Sequence, residues 1–207
     1  TQAKTLFPYT TLFRSDLPRF AGIATFMRLP HVPLDHSRVA EVQIGLVGLP
    51  FDGGVSNRPG PRHGPRALRD ASTMIRAQNG ATGVRPFERA RCADLGDVGP
   101  NPVDGPDTLA RFETYFAALK RQGIRPLSAG GDHLCTLPVL RGIARDKPLG
   151  LVHFDSHTDL YPAYFGGKTL TDVLDRVFAG TPLESLAKKL AQRAIPAGSN
   201  GESGISR

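Results

Sequence analysis

The sequence predicts an α/β fold, a mostly parallel sheet with helices on both faces. Its apolar runs are short and nearly continuous, as expected for strands buried on both sides. Stretches with helical spacing alternate with those runs, which is the pattern of strand–helix–strand units. Polar clusters directly follow two of the runs, and in open parallel sheets ligands gather beyond the carboxyl ends of the strands.

The first run is VQIGLVGLP at 42–50, apolar almost throughout and closed by Pro50. The loop after it, DGGVSNRPGPRHG at 52–64, is too long and too polar for a simple turn. Glycines and prolines suit such a loop whether it is structural or lines a site, and the composition favours neither role. Pro65 stands where the first residue of a helix is expected, and Ala67, Leu68, Ala71 and Ile75 form the helix's expected inward stripe. Residues 107–122 repeat the helical pattern, with Asp107 as the expected cap and Gly123 as the stop. Leu109, Phe112, Phe116 and Leu119 are expected to face inward. A strand, IRPLSA at 124–129, then leads into GGDH. A further helix is expected around Leu137 to Ala144, followed by a strand, LGLVHF at 149–154, that leads into DSHTD.

Residues 1–16 show no strand or helix period and read as an unstructured or non-native leader. Residues 17–170 carry the α/β pattern, and 171–207 read as a divergent segment, first amphipathic and helical, then a disordered tail.

At 207 residues the chain is long enough for one domain with a substantial core. No apolar run approaches the roughly 20 residues that span a bilayer. The opening stretch lacks the apolar core and small-residue cleavage site of a secretion signal, so a cytoplasmic protein without a membrane partner is expected. Cys92 and Cys135 are too few for a disulfide framework and form no CxxC, so two buried thiols in a reducing compartment are expected. The net charge of +7, with eight arginines and no lysine between Arg58 and Arg91, raises the question of nucleic acid. No aromatics interleave with the basic residues at stacking spacing and no basic helix or finger pattern occurs, so no specific nucleic-acid partner is expected.

The chemistry concentrates at two strand ends. In an extended segment residues two apart point the same way, so Asp155, His157 and Asp159 of DSHTD aim two carboxylates and an imidazole at one point. Burying that set is costly unless a cation neutralises it. Mixed oxygen and nitrogen donors suit a first-row divalent ion, manganese foremost, with zinc, cobalt and iron as alternatives. Taken alone, the same pattern serves equally well as a capping or turn segment. His133 tips the balance toward a metal, because it follows Gly130 and Gly131 at the end of the preceding strand, where glycine permits a sharp bend. Asp132 is expected to orient that loop through the backbone or to support a ligand from behind. His153 lies deeper in its strand and reads as a buried, hydrogen-bonded histidine. His31, His36 and His63 fall in loop-like segments and read as ordinary surface or turn residues.

GGDH at 130–133 and VHFDSHTD at 152–159 resemble two metal-binding signatures of the ureohydrolases, the arginase and agmatinase family. PRFAGIATFMRLP at 18–30, GLPFDGGVSNRPGPRHGPRALRDAS at 48–72, ADLGDV at 93–98 and YFGGK at 164–168 resemble its agmatinase and guanidinobutyrase branch. The resemblance implies a three-layer αβα fold, a pair of manganese ions, homo-oligomers, and hydrolysis of a linear guanidino compound such as agmatine or 4-guanidinobutyrate to urea and an amine. By the same resemblance His133, Asp155 and Asp159 hold one metal, Asp155 and His157 reach the second, and Asp155 bridges both. The loop from Asp52 to Arg62 would line the mouth of the site, with Asn57 and Arg58 on the substrate side. No catalytic side chain is assigned beyond the metal-bound hydroxide that Asp155 would help to hold.

The sequence also departs from that family. A further strand-end DxD is expected well after the first two signatures, but the acidic residues after Asp159 are Asp172, Asp175, Glu184 and Glu202, none spaced as DxD. No histidine follows His157 to relay protons. The fold is therefore expected to be incomplete on its C-terminal side. Two divalent cations set against the charges of Asp155, Asp159 and one hydroxide are under-neutralised, so at most one tightly held metal is expected. A catalytically silent metal-binding or interaction module of the same fold is the alternative expectation. Residues from Thr171 onward either cover an exposed sheet edge or are unrelated to the domain, and the sequence leaves both open.

Overall fold

The computed structural model describes residues 17–144 and 149–156, and the chain divides into two compact units, Thr1–Leu149 and Gly150–Arg207. In chain order the first unit runs β1 (Ile44–Leu49), α1 (Gly64–Ser72), a single-turn α2 (Pro86–Arg89), β2 (Cys92–Asp97), α3 (Gly105–Arg121), β3 (Arg125–Gly130) and α4 (Thr136–Ala144). The three strands form one parallel sheet in the order β2-β1-β3. In β1 every residue after Ile44 is buried, which accounts for its nearly unbroken apolar run.

Side chains alternate across the sheet, so the two faces can be read from β1. Leu46 belongs to a core with Phe26, Leu29 and Cys92, and Ile44, Met27 and Phe87 pack against it. On the opposite face stand Val47 and Leu49, fully buried, with the fully buried Phe112, Phe116 and Leu119 of α3 supplying the bulk of the second core. Phe51, just past β1, meets the edge of Phe112 with ring centroids 6.3 Å apart. Burying side chains of this size contributes about 1.5–3 kcal/mol each.

Several sequence expectations need correction. The cap of α3 is Asp104, whose carboxylate accepts the Asp107 amide at 2.9 Å. Asp107 lies inside the first turn, where its carboxylate takes Asn101 and Arg111 instead. Gly123, with φ +72°, ends the chain's helical course as expected. ADLGDV, quoted above only for its resemblance, falls within the second strand and the residue after it.

The inward stripe expected on α1 points outward. Ala67, Leu68, Ala71 and Ile75 are exposed, and α1 buries Pro65. The inward face carries a charge. Arg69, on the face turned to the sheet, reaches across to Asp94 on β2. Apolar periodicity carries no information about such a pair.

LGLVHF forms no strand. Residues 149–154 carry no regular structure, and Val152 and Phe154 are 80% and 95% exposed. An apolar run states only that a segment could be buried. A strand is a property of pairing, and that is settled by a neighbour rather than by the run itself. The expectations for residues 1–16 and 171–207 lie outside the described residues. Among the described residues no helix is long and apolar enough to cross a membrane.

Candidate functional site

Two chain segments meet beyond the carboxyl ends of β1 and β3. The first is the loop from Pro50 to the short 3₁₀ turn Pro61–His63, and the second is the turn from Gly130 to Cys135. Their approach is close. Gly131 has φ +66°, and a Cβ there would stand 2.5 Å from the carbonyl oxygens of both Leu49 and Phe51. Only glycine fits, which is the physical content of the glycine pair in GGDH.

Asp132 joins the two segments. Its amide donates to the Phe51 carbonyl at 2.9 Å, and its carboxylate accepts the Gly54 amide at 2.6 Å. The expected orienting role of Asp132 is thus present in the geometry. Burial pushes the Asp132 carboxyl up, the Gly54, Leu134 and Cys135 amides pull it back only in part, and the result lies above the usual carboxylate range. His133 follows directly, half-buried, opening the 3₁₀ turn His133–Cys135 that leads into α4.

Asp52 secures the same loop from the other side. It is buried, with 5% of its surface exposed, and it accepts the Gly60 amide at 2.8 Å, the Arg62 amide at 3.3 Å and the Arg62 guanidinium. The guanidinium, more than the two amides, holds its carboxyl down to about 2. Asn57 and Arg58 lie between these fixed points and are exposed. Among the described residues Arg58 forms no ion pair.

At the end of β2 a second polar cluster forms. Arg69 holds Asp94 through two bonds of 2.8 and 3.0 Å and Asp97 through one of 2.7 Å, while its guanidinium carbon lies 4.2 Å over the Phe26 ring. Asp94 also accepts the Phe26 and Gly96 amides, both at 2.9 Å. Burial raises the Asp94 carboxyl, but Arg69 and the two amides outweigh it and leave it below the usual range. Both oxygens of Asp94 and one of Asp97 are used internally, so Arg69 and Asp94 form a brace at the strand end.

In the second unit the described residues are Gly150–Ser156. His153 is half-buried, and its Nε2 lies 3.7 Å from an Asp155 oxygen, an ion-pair separation that is too long for a hydrogen bond between those atoms. His153 is thus half-buried, where its place in the sequence predicted a buried, hydrogen-bonded histidine. Asp155 is exposed. His157 and Asp159 lie outside the described residues. Of the four expected metal ligands, His133 and Asp155 are described, one in each unit. An imidazole and a carboxylate are donors of the kind a divalent first-row cation takes.

Sequence reading missed Asp52, Arg69 and Asp94 as organising residues. For Asp94 a signal existed, since a carboxylate between Ala93 and Leu95 of a buried strand needs a partner. For Asp52 the signal was weaker: an acidic residue heading a glycine-rich loop often accepts the loop's own amides.

A parallel sheet with helices on both faces and polar segments gathered beyond its strand ends defines an α/β protein of the type that places its site at that edge. Comparison with known proteins narrows the class. The arginase family matches over residues 42–201, and the chain belongs to that family. The chain is 46% identical over 157 residues to guanidinopropionase of Pseudomonas aeruginosa, covering 76% of this chain and 48% of that protein. It is 43% identical over 155 residues to guanidinobutyrase of the same organism, covering 74% and 48%. Among solved structures, proclavaminate amidinohydrolase of Streptomyces clavuligerus superposes with a TM-score of 0.69 at 35% identity, covering 78% of this chain and 53% of that one. A hypothetical agmatinase from Burkholderia thailandensis gives 0.67 at 28% identity, covering 84% and 51%. The chain thus spans about half the length of the relatives it matches.

Proposed function

We propose that the polar strand ends of this chain serve metal-dependent hydrolysis of a linear guanidino compound, of the 4-guanidinobutyrate or agmatine type, to urea and an amine. One observation carries this more than any other: the Asp132 carboxylate ties the loop after β1 to the turn that presents His133, giving one polar mouth beyond the parallel strands. The likeness to guanidinopropionase and guanidinobutyrase supports the choice of substrate.

His133, Asp155, His157 and Asp159 would hold manganese, which when bound makes water a strong enough nucleophile near neutral pH to attack a resonance-stabilised guanidinium carbon. Asn57 and Arg58 would stand on the substrate side. A guanidinium substrate repels Arg58, so that residue would meet the carboxylate tail of a guanidino acid, where a planar fork suits two oxygens. Asn57 can both donate and accept hydrogen bonds and would serve the polar remainder of the substrate.

The test is urea release by the purified chain with added manganese. Turnover of 4-guanidinobutyrate that Asp155→Ala abolishes is the expected result, and turnover that survives this substitution would sink the assignment. A second reading is a silent metal-binding module of the same fold. A folded chain that retains manganese and releases no urea would establish it.

A further inference from the structure

The loop between β1 and α1 is held at both ends by carboxylates that belong to the strand ends. Asp132, just past β3, takes the Gly54 amide at 2.6 Å. Asp52, just past β1, takes the Gly60 amide at 2.8 Å together with the amide and guanidinium of Arg62. Between the two anchor points lie residues 55–59, with Asn57 and Arg58 exposed. Gly53, Gly54 and Gly60 give this loop a wide choice of backbone conformations, so local sequence alone would leave it loose. Both anchors are amide hydrogen bonds to carboxylate oxygens, 2.6 Å to Asp132 and 2.8 Å to Asp52. The Asp132 anchor ties the loop to the end of β3, and the Asp52 anchor closes the loop on its own first residues, so together they fix where the loop stands as well as its shape.

We propose that Asp52 and Asp132 are positioning residues that hold residues 55–59 in one pose, so that Asn57 and Arg58 meet the substrate already oriented. This rests on the hydrolase reading above. Neither carboxylate touches substrate. A loop ordered beforehand loses less freedom when a ligand binds, so its loosening appears as weakened binding.

The experiment uses the full 207-residue chain loaded with manganese, and follows two readouts on Asp52→Asn, Asp132→Asn and the milder Arg62→Lys. The first is amide hydrogen exchange by mass spectrometry, with fragmentation to single residues. Asp52→Asn should release the Gly60 and Arg62 amides and leave Gly54 protected, and Asp132→Asn should do the reverse. The second is calorimetric binding of 4-guanidinobutyrate, which each Asn variant should weaken about tenfold, the scale of one hydrogen bond. Arg62→Lys keeps the charge, loses the planar fork, and should fall between wild type and Asp52→Asn in both readouts. Faster exchange with unchanged affinity would make the anchors merely structural and overturn the proposal, as would unchanged exchange. If the wild-type chain binds no guanidino compound, the hydrolase reading and the positioning role fall together, while the exchange pattern still reports on the anchors separately.

Discussion

Replacing Arg69 with methionine is the sharpest test of the brace at the end of β2. The substitution keeps most of the side chain's apolar stem and removes the guanidinium. Three hydrogen bonds vanish, two to Asp94 and one to Asp97, along with the contact over Phe26. The Arg69 side chain is 13% exposed and that of Asp94 only 1%, so the carboxylate left behind cannot recover much water. Removing one partner of a buried pair costs about 3–5 kcal/mol. The low end applies here, because Asp94 keeps the Phe26 and Gly96 amides and the Asp97 side chain is 40% exposed. A loss of about 3 kcal/mol follows, or a drop in Tm of about 6–12 °C for a chain of this size. With no tryptophan in the sequence, urea unfolding followed by far-UV circular dichroism is the suitable assay. Asp94→Leu added to Arg69→Met should recover part of the loss, since the stranded charge goes with it. A loss below about 1 kcal/mol for Arg69→Met would refute the reasoning, because it would mean that the pair is solvated.

Three other outcomes are expected. Asp52 has a depressed folded pKa of about 2 against 3.8 for a free carboxyl, so its stabilisation is present above about pH 4 and is lost as pH falls toward 2. Thermal melts of wild type and Asp52→Asn should therefore converge over that interval, and parallel curves would show that Asp52 does not titrate as described. Burial pushes the Cys135 thiol up to about 12 and raises that of Cys92, so both should resist iodoacetamide at pH 8 in the native protein and react fully in urea. Elemental analysis of the purified chain after manganese loading and desalting should find no more than one equivalent per chain, and two would overturn the charge argument built on Asp155 and Asp159.

The turn before His133 could be read in advance because its signal is written in adjacent residues. The glycine pair before His133 signals a bend where no side chain fits, and Gly131 confirms it through its contacts with Leu49 and Phe51. The anchors on the loop were not legible, since Gly54 and Asp132 stand 78 residues apart and nothing near either one names the other. The expected cap of α3 slipped by one helical turn because Asp104 and Asp107 are equally good acceptors in sequence, and only backbone geometry distinguishes the residue outside the helix from the one inside it.

By itself the sequence determined the elements whose signal is local: the buried run of β1, the α3 face of Phe112, Phe116 and Leu119, and the glycine-hinged turn at His133. Tertiary structure alone decided which side of α1 faces the sheet, whether residues 149–154 form a strand, and which carboxylates organise the strand ends. The physical reason is the range of the forces involved. Apolar spacing and backbone conformation act between near neighbours in the chain, whereas ion pairs and strand ladders depend on partners that only the folded chain brings together.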